Sequence, residues 1–480
     1  MKDITPLGYL EGKQEEILQR LIAFAAIPSV STDPAYKQGI LQASEWVAAQ
    51  MTSAGLENVR INPTAGHPIV TADWLHAPGK PTILVYGHYD VQPPDPLEKW
   101  KSPPFEPTVR DGRLYARGVS DDKGPMLIPI AVVEAFMRTE GRLPVNVRFI
   151  IEGEEERGSV NLEPFVRANA DRLAADFLLS ADGAMWRPDE PSITVASRGM
   201  AALELTVRGA GKDLHSGRHG GAVANPAQAL ATLLASLHDA RGAIAVPGFY
   251  DRVGAPSNSA REEIRVMPFN NARYLAGIGA PDEAGEAGWS LLERMWLRPT
   301  LEINGMWGGY QGPGTKTVIP CEAHAKITCR LVPGQQPAEI VGQIEAFLHA
   351  RCPRGVTLEV RPGDHGSEAY EIPAEHPGLA LAERILAEIY GQKALRVRMG
   401  ATIPIGLIFR HGVGAETVFF SFSTADEDYH APNEFFRLQR LKDGMRAWVR
   451  YWQELGRMEA GAFRAGAERP AAALSIPAPR

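Results

Sequence analysis

The stretch Pro81-Thr-Ile-Leu-Val-Tyr-Gly87, followed by His88-Tyr-Asp-Val91, decides the fold of this chain. The apolar run predicts a buried strand that opens into a polar loop. The same order, an apolar run and then acidic residues, recurs at residues 145–152 and 176–182. Strands of this kind, with helices between them, indicate a parallel-rich sheet with a functional site at the strand ends.

Segments before, between and after these strands have apolar residues at helical spacing. This spacing predicts helices over 15–26, 39–54 and 123–139, and again over 379–390, before a last strand at 417–421. Residues 200–376, between the helices at 123–139 and 379–390, show a different pattern of strands mixed with helices. There we predict strands at 201–207 and 323–331, helices at 225–237 and 338–350, an irregular or loosely helical stretch at 251–288, and glycine-rich turns at 304–309.

These patterns predict an α/β fold built from two domains. A catalytic domain with a mixed, mostly parallel sheet would comprise residues 1–199 and 377–460, and a smaller α+β domain of residues 200–376 would be inserted into it. Residues 461–480 are rich in Ala, Arg and Pro, which is typical of a disordered tail.

Composition excludes several classes of protein. The 480 residues carry a net charge of −7, so no basic field for nucleic acid exists. No apolar run reaches the roughly 20 residues that a membrane-spanning helix needs. The first residues lack the pattern of a secretory signal, so we expect a cytoplasmic protein. Three cysteines cannot form a disulfide framework or a four-cysteine zinc site.

Acids and histidines cluster at the predicted strand ends, at His88, Asp90, Asp121, Asp122, Glu152 to Glu156, Asp182 and His430. Each alone has a structural interpretation, as a turn residue, a helix start or a satisfied histidine. Together they would repel one another in one crevice unless cations neutralised them. Carboxylates and imidazoles without cysteine suit zinc, manganese or cobalt in a hydrolytic site. Asp90 could accept the second ring N–H of His88, which would orient that imidazole.

Six motifs carry a resemblance to a known family: GHYDVQP, LYARGVSDDKGP, EGEEERGS, KDLHSGRHGG, GTKTVIP and RLVPG. The sequence resembles the dinuclear-zinc metallopeptidases over nearly its whole length. It is most similar to the branch of carnosinase and cysteinylglycine dipeptidase, which is related to aminoacylase and glutamate carboxypeptidase. The resemblance implies two divalent ions, most simply zinc, with manganese or cobalt as alternatives.

The resemblance also implies a role for each site residue. His88, Asp121 and Asp182 would share one ion, and Asp121, Glu156 and His430 the other, with Asp121 bridging and its bond to Asp122 cis. Glu155 would be the general base. The run of three glutamates leaves the register of the base open by one position, and Gly158-Ser159 favours Glu155 as the base and Glu156 as the ligand.

Further residues are implied in substrate binding and oligomerisation. His215 would reach the active site of a partner subunit and stabilise the tetrahedral intermediate, which makes the inserted domain a lid and dimerisation domain of a homodimer. Arg330 would bind the substrate carboxylate, Thr317 would supply a second polar contact from the partner, and Thr402 would lie near the substrate. From sequence alone, a turn-capping histidine and a surface ion pair are about equally plausible for His215 and Arg330.

The predicted function is a two-metal hydrolase that cleaves the amide bond of dipeptides or similar small peptides, with Asp90, Glu155 and His215 assisting catalysis. The alternative is an N-acyl-amino-acid amidohydrolase with the same metals. A non-enzymatic binding protein would require loss of a ligand or of the base, and all of them are present. Arg117 and Lys123 are interpreted as structural groups that balance nearby acids, and the three cysteines as small core residues.

Overall fold

The computed structural model of the protein describes residues 4–363 and 366–463. The strands are β1 (Glu57–Asn62), β2 (Ile69–Trp74), β3 (Thr82–His88), β4 (Thr108–Arg110), β5 (Arg113–Tyr115), β6 (Asn146–Glu152), β7 (Phe177–Ser180), β8 (Ser192–Ser197), β9 (Gly199–Arg208), β10 (Leu214–His215), β11 (Thr300–Gly308), β12 (Val318–Ile319), β13 (Glu322–Leu331), β14 (Thr357–Pro362), β15 (Tyr370–Glu371), β16 (Leu395–Met399), β17 (Thr417–Phe419) and β18 (Phe435–Arg437). The α-helices are α1 (Pro6–Gly12), α2 (Gln14–Ala25), α3 (Lys37–Ala54), α4 (Gly124–Thr139), α5 (Leu162–Ala168), α6 (Ala170–Leu173), α7 (Ser216–His219), α8 (Pro226–Ala235), α9 (Asn258–Arg265), α10 (Asn271–Ile278), α11 (Leu291–Trp296), α12 (Pro337–Arg351), α13 (Pro377–Tyr390), α14 (Ile405–Val413) and α15 (Leu438–Leu455).

The chain divides into two compact units. Unit 1 contains the chain up to Val195, Ile372–Val397 and the chain from Ile405 onward; unit 2 contains Ala196–Glu371 and Arg398–Pro404. The sequence-based boundaries place residues 398–404 in the catalytic domain, whereas the structure groups them with unit 2. One reason is that the Arg198 side chain donates a hydrogen bond to the Gly400 carbonyl, a contact that no sequence periodicity reports.

Unit 1 is built on a six-stranded sheet with the order β1-β2-β6-β3-β7-β17. Strands β6, β3, β7 and β17 run parallel, and β2 and β1 continue the sheet antiparallel. This confirms the predicted mixed, mostly parallel sheet. Strand β3 is buried almost throughout, as its apolar run requires. Helix α4 is buried on nearly every side, because it packs against α1, α3 and α15.

Unit 2 is built on a four-stranded antiparallel sheet with the order β11-β13-β9-β14. Alternate residues of β9 and β13 point into a core that α8 and α12 cover from one side. Cys329 is fully buried in this core, and Cys321 and Cys352 are only partly buried. The interpretation of all three cysteines as core residues is therefore correct for Cys329 alone.

Two stretches differ from the sequence-based expectations. Residues 251–288 contain the two regular helices α9 and α10, each started by an N-cap side chain, Ser257 and Asn270. Residues 304–308, interpreted as turns, belong to strand β11, where a bulge between Ile303 and Gly305 admits the glycine. Both segments are short or glycine-containing, so local composition obscured the pairing and packing that stabilise them.

The C-terminal segment is ordered slightly further than predicted. Ala460–Phe463 forms a 3₁₀ turn, and the Phe463 ring stacks on Phe177 at a centroid distance of 5.1 Å. Residues 464–480 of the predicted tail lie outside the described residues. Within residues 4–363 and 366–463, no helix has the length and apolar content to cross a bilayer.

Candidate metal centre

The ends of the parallel strands in unit 1 bring the predicted ligands together. His88 is the last residue of β3, and Asp182 follows β7 by two residues. Asp121 lies in a π-helical turn, Val119–Lys123, directly before α4, and its peptide bond to Asp122 is cis, as the resemblance implies. Glu155 and Glu156 form a 3₁₀ turn after β6. His430 has a φ of +64°, in the loop before β18.

These residues form two donor groups that share Asp121. Ligand atoms of His88, Asp121 and Asp182 lie within 4.8 Å of one another, and so do those of Asp121, Glu156 and His430. His88 Nε2 is 3.0 Å from one carboxylate oxygen of Asp121, and His430 Nε2 is 2.9 Å from the other. The two oxygens of one carboxylate therefore face two separate donor groups, which is the arrangement of a bridging ligand.

The carboxylates of the cluster carry more negative charge than the protein alone neutralises. Burial and the charge of Asp121 raise the pKa of Glu156 to about 7. Burial raises the pKa of Asp182 to about 6, and raises that of Glu155 well above its ordinary value. Acids crowded in this way ionise together only if cations are close by.

The histidines show the complementary effect. Hydrogen bonds to Asp121 and Glu156 raise the pKa of His430 to about 10. Burial works against protonation of His88, yet hydrogen bonds to Asp121 and Asp90 raise its pKa well above the ordinary value. The carboxylates thus favour the protonated, positively charged form of both imidazoles, and a bound cation would satisfy the same carboxylates. Two imidazoles and three carboxylates, with one carboxylate shared, fit a pair of divalent cations.

Asp90 lies beside His88, where the sequence places it, and its carboxylate has a second contact that the sequence did not predict. The His88 ring nitrogen Nδ1 lies 3.1 Å from the backbone carbonyl oxygen of Asp90 and 3.4 Å from its carboxylate, so the carbonyl is the nearer partner. The carboxylate accepts the backbone N–H groups of Glu155 at 3.2 Å and Glu156 at 3.1 Å. Asp90 therefore fixes both the imidazole and the turn that carries the predicted base.

Two further polar residues of the site escaped the sequence analysis. Gln92 donates through Nε2 to the Glu156 carboxylate at 2.8 Å. The buried carboxylate of Glu434 accepts the backbone N–H groups of the Asp121 turn, from Gly118, Ser120 and Asp121. Gln92 lies in the motif GHYDVQP, and Glu434 lies four residues after His430, so both stand close to predicted site residues in the sequence. Their roles depend on contacts between distant parts of the chain, which the sequence does not show.

The two basic residues beside Asp121 differ from each other. Arg117 is buried and donates to Glu434 at 2.7 Å, so it balances an acid as predicted. Lys123 is also buried, but its ammonium donates to the backbone carbonyls of Ile27 and Phe24 at 2.6 and 3.2 Å. Burial lowers its pKa to about 7. The charges of Glu434 and Asp90 act in the opposite direction, so Lys123 lies near acids as expected, but its hydrogen bonds go to carbonyl oxygens and not to a carboxylate.

Within unit 2, the structure brings His215 beside the strand that follows Thr317. Strands β10 and β12 pair so that His215 faces Val318, and the Ser216 N–H donates to the Thr317 carbonyl at 3.0 Å. The Nδ1 atom of exposed His215 accepts the Gly217 N–H at 3.0 Å, so this histidine does cap a turn. With Nδ1 as the acceptor, the Nε2–H of the neutral imidazole is left as a donor.

Arg330 and Thr402 form the second predicted group in unit 2. Arg330, near the end of β13, donates through Nη1 to the Thr402 hydroxyl at 2.9 Å. Among the described residues it forms no ion pair. Its remaining donors can therefore bind an external carboxylate in the bidentate manner of guanidinium groups.

The known proteins to which this chain is similar include metallodipeptidases, in agreement with the candidate metal centre. The chain is 30% identical to a Beta-Ala-His dipeptidase of Homo sapiens over 94% of its own length and 92% of the relative's. It is 27% identical to a Cys-Gly metallodipeptidase of Schizosaccharomyces pombe, covering 93% of this chain and 97% of that protein. The solved structure of an M20 family metallo-carboxypeptidase from Sulfolobus solfataricus superposes with a TM-score of 0.80 at 28% identity, covering 92% of this chain and all of that one. The profile of peptidase family M20/M25/M40 matches residues 84–454, and the protein belongs to that family.

Proposed function

We propose that the protein is a two-metal hydrolase that cleaves the amide bond of dipeptides or similarly small peptides. The observation that carries this proposal is Asp121, whose two carboxylate oxygens face two donor groups beside the turn that bears Glu155. The printed names of two relatives, Beta-Ala-His dipeptidase and Cys-Gly metallodipeptidase, support a dipeptide as substrate.

In this proposal each residue of unit 1 has a stated role. His88 and Asp182 would hold one divalent ion, Glu156 and His430 would hold the other, and Asp121 would be shared by both. When bound, such a pair of ions lowers the pKa of a water molecule and polarises the scissile carbonyl. The Glu155 carboxylate accepts the proton of the attacking water and delivers it to the leaving amine. Asp90 positions Glu155 through the backbone N–H groups that it binds.

Residues of unit 2 would bind the rest of the substrate. Arg330 and Thr402, already hydrogen-bonded to each other, offer a guanidinium and a hydroxyl for the substrate carboxylate. His215 offers the Nε2–H as a donor for the developing oxyanion. Thr317, next to the His215 strand, would add a polar contact.

A panel of small amides tests the function. The purified protein, supplied with zinc, manganese or cobalt in separate assays, is incubated with free-amine dipeptides and with N-acetyl amino acids. Turnover of the dipeptides supports the proposal. Turnover of N-acetyl amino acids alone would favour the alternative, an N-acyl-amino-acid amidohydrolase. Inactivity on both classes with every metal would contradict both activities.

The Glu155→Gln variant is the matched control for that panel. The amide keeps the size of the side chain but cannot accept a proton, so we expect kcat to fall by about 10²–10⁴-fold. Metal content, measured by elemental analysis, should stay at two ions per chain because Glu155 is not a ligand. Unchanged kcat would contradict the base assignment, and loss of metal would show that Glu155 is a ligand instead.

We also propose zinc as the metal in the cell, a cytoplasmic location and a homodimer in which His215 and Thr317 serve the partner's site. Light scattering after size exclusion reports the oligomeric state. Mixing His215→Ala with Glu155→Gln tests the sharing, since a hybrid dimer would hold one site with both an intact His215 and an intact Glu155. Failure of the mixture to regain activity would contradict the sharing across subunits.

A further inference from the structure

Three arginines converge on one face of the unit 1 sheet, at strands β1, β2 and β6. In the register of the sheet, Arg60 lies opposite Thr71, and Asp73 lies opposite Arg148. Paired residues in neighbouring strands point to the same side, so these four side chains form one patch. They line a cavity of about 210 Å³ together with Arg172, which α6 contributes from above the sheet.

The hydrogen bonds of these arginines go to neutral groups. Arg172 donates through Nη2 to the Thr71 hydroxyl at 3.1 Å and through Nη1 to the Asn169 side chain at 3.0 Å. Arg148 donates through Nη1 to the Asp171 carbonyl at 3.2 Å. Within the described part of the chain, none of the three arginines forms an ion pair. The guanidiniums of Arg148 and Arg172 are therefore held by neutral groups, and the cavity is lined by three arginines and one aspartate, Asp73.

The patch has an excess of positive charge. Asp73 is the acid that lines the cavity, and one of its oxygens already accepts the Asn58 amide at 2.8 Å. Burial lowers the pKa of Arg148, the charge of Asp73 opposes that shift, and the nearby charge of Arg172 adds a smaller lowering effect. The Nε atom of Arg148 is buried and has no hydrogen-bond partner among the described residues. A buried donor without a partner is costly, so this guanidinium has unused hydrogen-bonding capacity.

We propose that this patch is a binding site for a small tetrahedral oxyanion, inorganic phosphate or a phosphate monoester. Guanidinium forks match phosphate oxygens bidentately, and the cavity accommodates one such group between Arg60, Arg148 and Arg172. The site is separate from the metal centre. Arg148 precedes Glu152, the last residue of β6, by four positions, which is about 13 Å along an extended strand.

Titration calorimetry of the full-length protein with inorganic phosphate, at constant ionic strength, tests the site. We expect phosphate to bind, and we expect the affinity to fall about tenfold in Arg172→Met and in Arg60→Met, because each variant removes one charged donor. Both side chains are exposed, so the variants should fold. The control is Arg167→Met on α5, whose guanidinium pairs with Glu163 instead. It should bind phosphate as the wild type does.

Phosphate could also bind at the metal centre, so a second measurement locates it. Phenylglyoxal modifies accessible arginines, and mass spectrometry of the peptides reports each position. Phosphate should slow the modification of Arg60 and Arg172 but not that of Arg167. A parallel titration with glycerol 2-phosphate separates the two sources, because tighter binding than that of inorganic phosphate identifies a monoester. Unchanged affinity in both arginine variants, or equal protection of all three positions, would overturn the proposal.

Discussion

Asp90 illustrates how much one buried carboxylate contributes to the metal centre. It contacts no predicted substrate group, yet its carboxylate accepts the N–H groups of Glu155 and Glu156, and its carbonyl lies against the His88 ring. One residue thus orients His88, Glu156 and Glu155, which are a proposed ligand of each ion and the proposed general base. Partners of this kind hold ligands in the geometry that the reaction needs.

We expect Asp90→Asn to lower metal affinity by about 10–100-fold and to lower kcat as well. The amide has one accepting oxygen where the carboxylate has two, so one of the two N–H groups loses its partner. Competition with a chelating dye measures the affinity. The exposed Asp111→Asn, in the turn between β4 and β5, is the control. An unaltered metal affinity in Asp90→Asn would show that the carboxylate does not position the ligands.

Glu152 is a buried acid with a predicted effect of pH on stability. It accepts hydrogen bonds from Tyr86 and Ser159, and burial together with the charge of Asp90 raises its pKa to about 8. The unfolded chain ionises this group near its ordinary value of 4.5. Between those values the folded state binds more protons than the unfolded state, so stability falls as pH rises, by about 1.4 kcal/mol per pH unit.

Glu152→Gln should remove this contribution, because the amide stays neutral and still accepts a hydrogen bond. In the metal-free protein, the free energy of unfolding of the variant should decline less steeply between pH 5 and 8 than that of the wild type. Denaturant titrations at several pH values measure the slope. The exposed Glu140→Gln should leave it unchanged. Parallel slopes for Glu152→Gln and the wild type would contradict the raised pKa.

At the scale of elements, the π-helical turn Val119–Lys123 depends on a residue more than 300 positions away. Glu434 accepts the N–H groups of Ser120 and Asp121 in this turn and that of Gly118 directly before it. It also accepts the Arg117 guanidinium, and both side chains of that ion pair are 1% exposed. The backbone of Asp121 within this turn is not helical, with φ −127° and ψ 90°. The backbone donors of the turn therefore need partners from outside the helix.

Glu434→Ala should destabilise the protein by about 3–5 kcal/mol, because it leaves the Arg117 charge buried without a partner. It should also weaken metal binding through the Asp121 turn. Arg167→Ala breaks an ion pair whose side chains are 61% and 49% exposed, and should cost about 0.5 kcal/mol or less. Chemical denaturation of both variants measures the difference. Similar losses in the two would show that the Glu434 pair adds little to stability.

The elements also show which parts of the fold the sequence could predict. Strand β3 and helix α3 follow from long apolar patterns, and their observed bounds lie within two residues of the predicted ones. Helices α9 and α10 were expected only as an irregular or loosely helical stretch, because each has eight residues and the surrounding segment is rich in Gly, Pro and charge. Their N-caps, Ser257 and Asn270, were readable signals. The Glu434 contacts could not be predicted, since nothing local links that residue to the Asp121 turn.

At the scale of the whole molecule, two cores imply two unfolding events. Unit 1 holds the donor groups around Asp121, and unit 2 has its own core around Cys329. The sequence could predict the insertion, because the period of the pattern changes near Gly199. It could not predict that residues 398–404 rejoin unit 2, because that return depends on contacts such as Arg198 with Gly400.

We expect calorimetry of the metal-loaded protein to show two transitions, of which chelation shifts only the one that belongs to unit 1. Removal of the ions leaves the acids around Asp121 to repel one another, and unit 2 has no part in that cluster. Reaction of buried Cys329 with a thiol reagent during heating identifies the unit 2 transition. An equal downward shift of both transitions would contradict the assignment.

The pairing of β8 with β15 has a consequence for how such a chain arises. Ala196, where unit 2 begins, is the ladder partner of Glu371, where its long segment ends. The two Cα atoms of such a pair are about 5 Å apart, so residues 197–370 occupy the place of a hairpin turn. A single genetic insertion could have introduced the whole segment without stretching the host sheet. By the same reasoning, another domain whose two ends lie equally close together could replace residues 197–370 in an engineered chain.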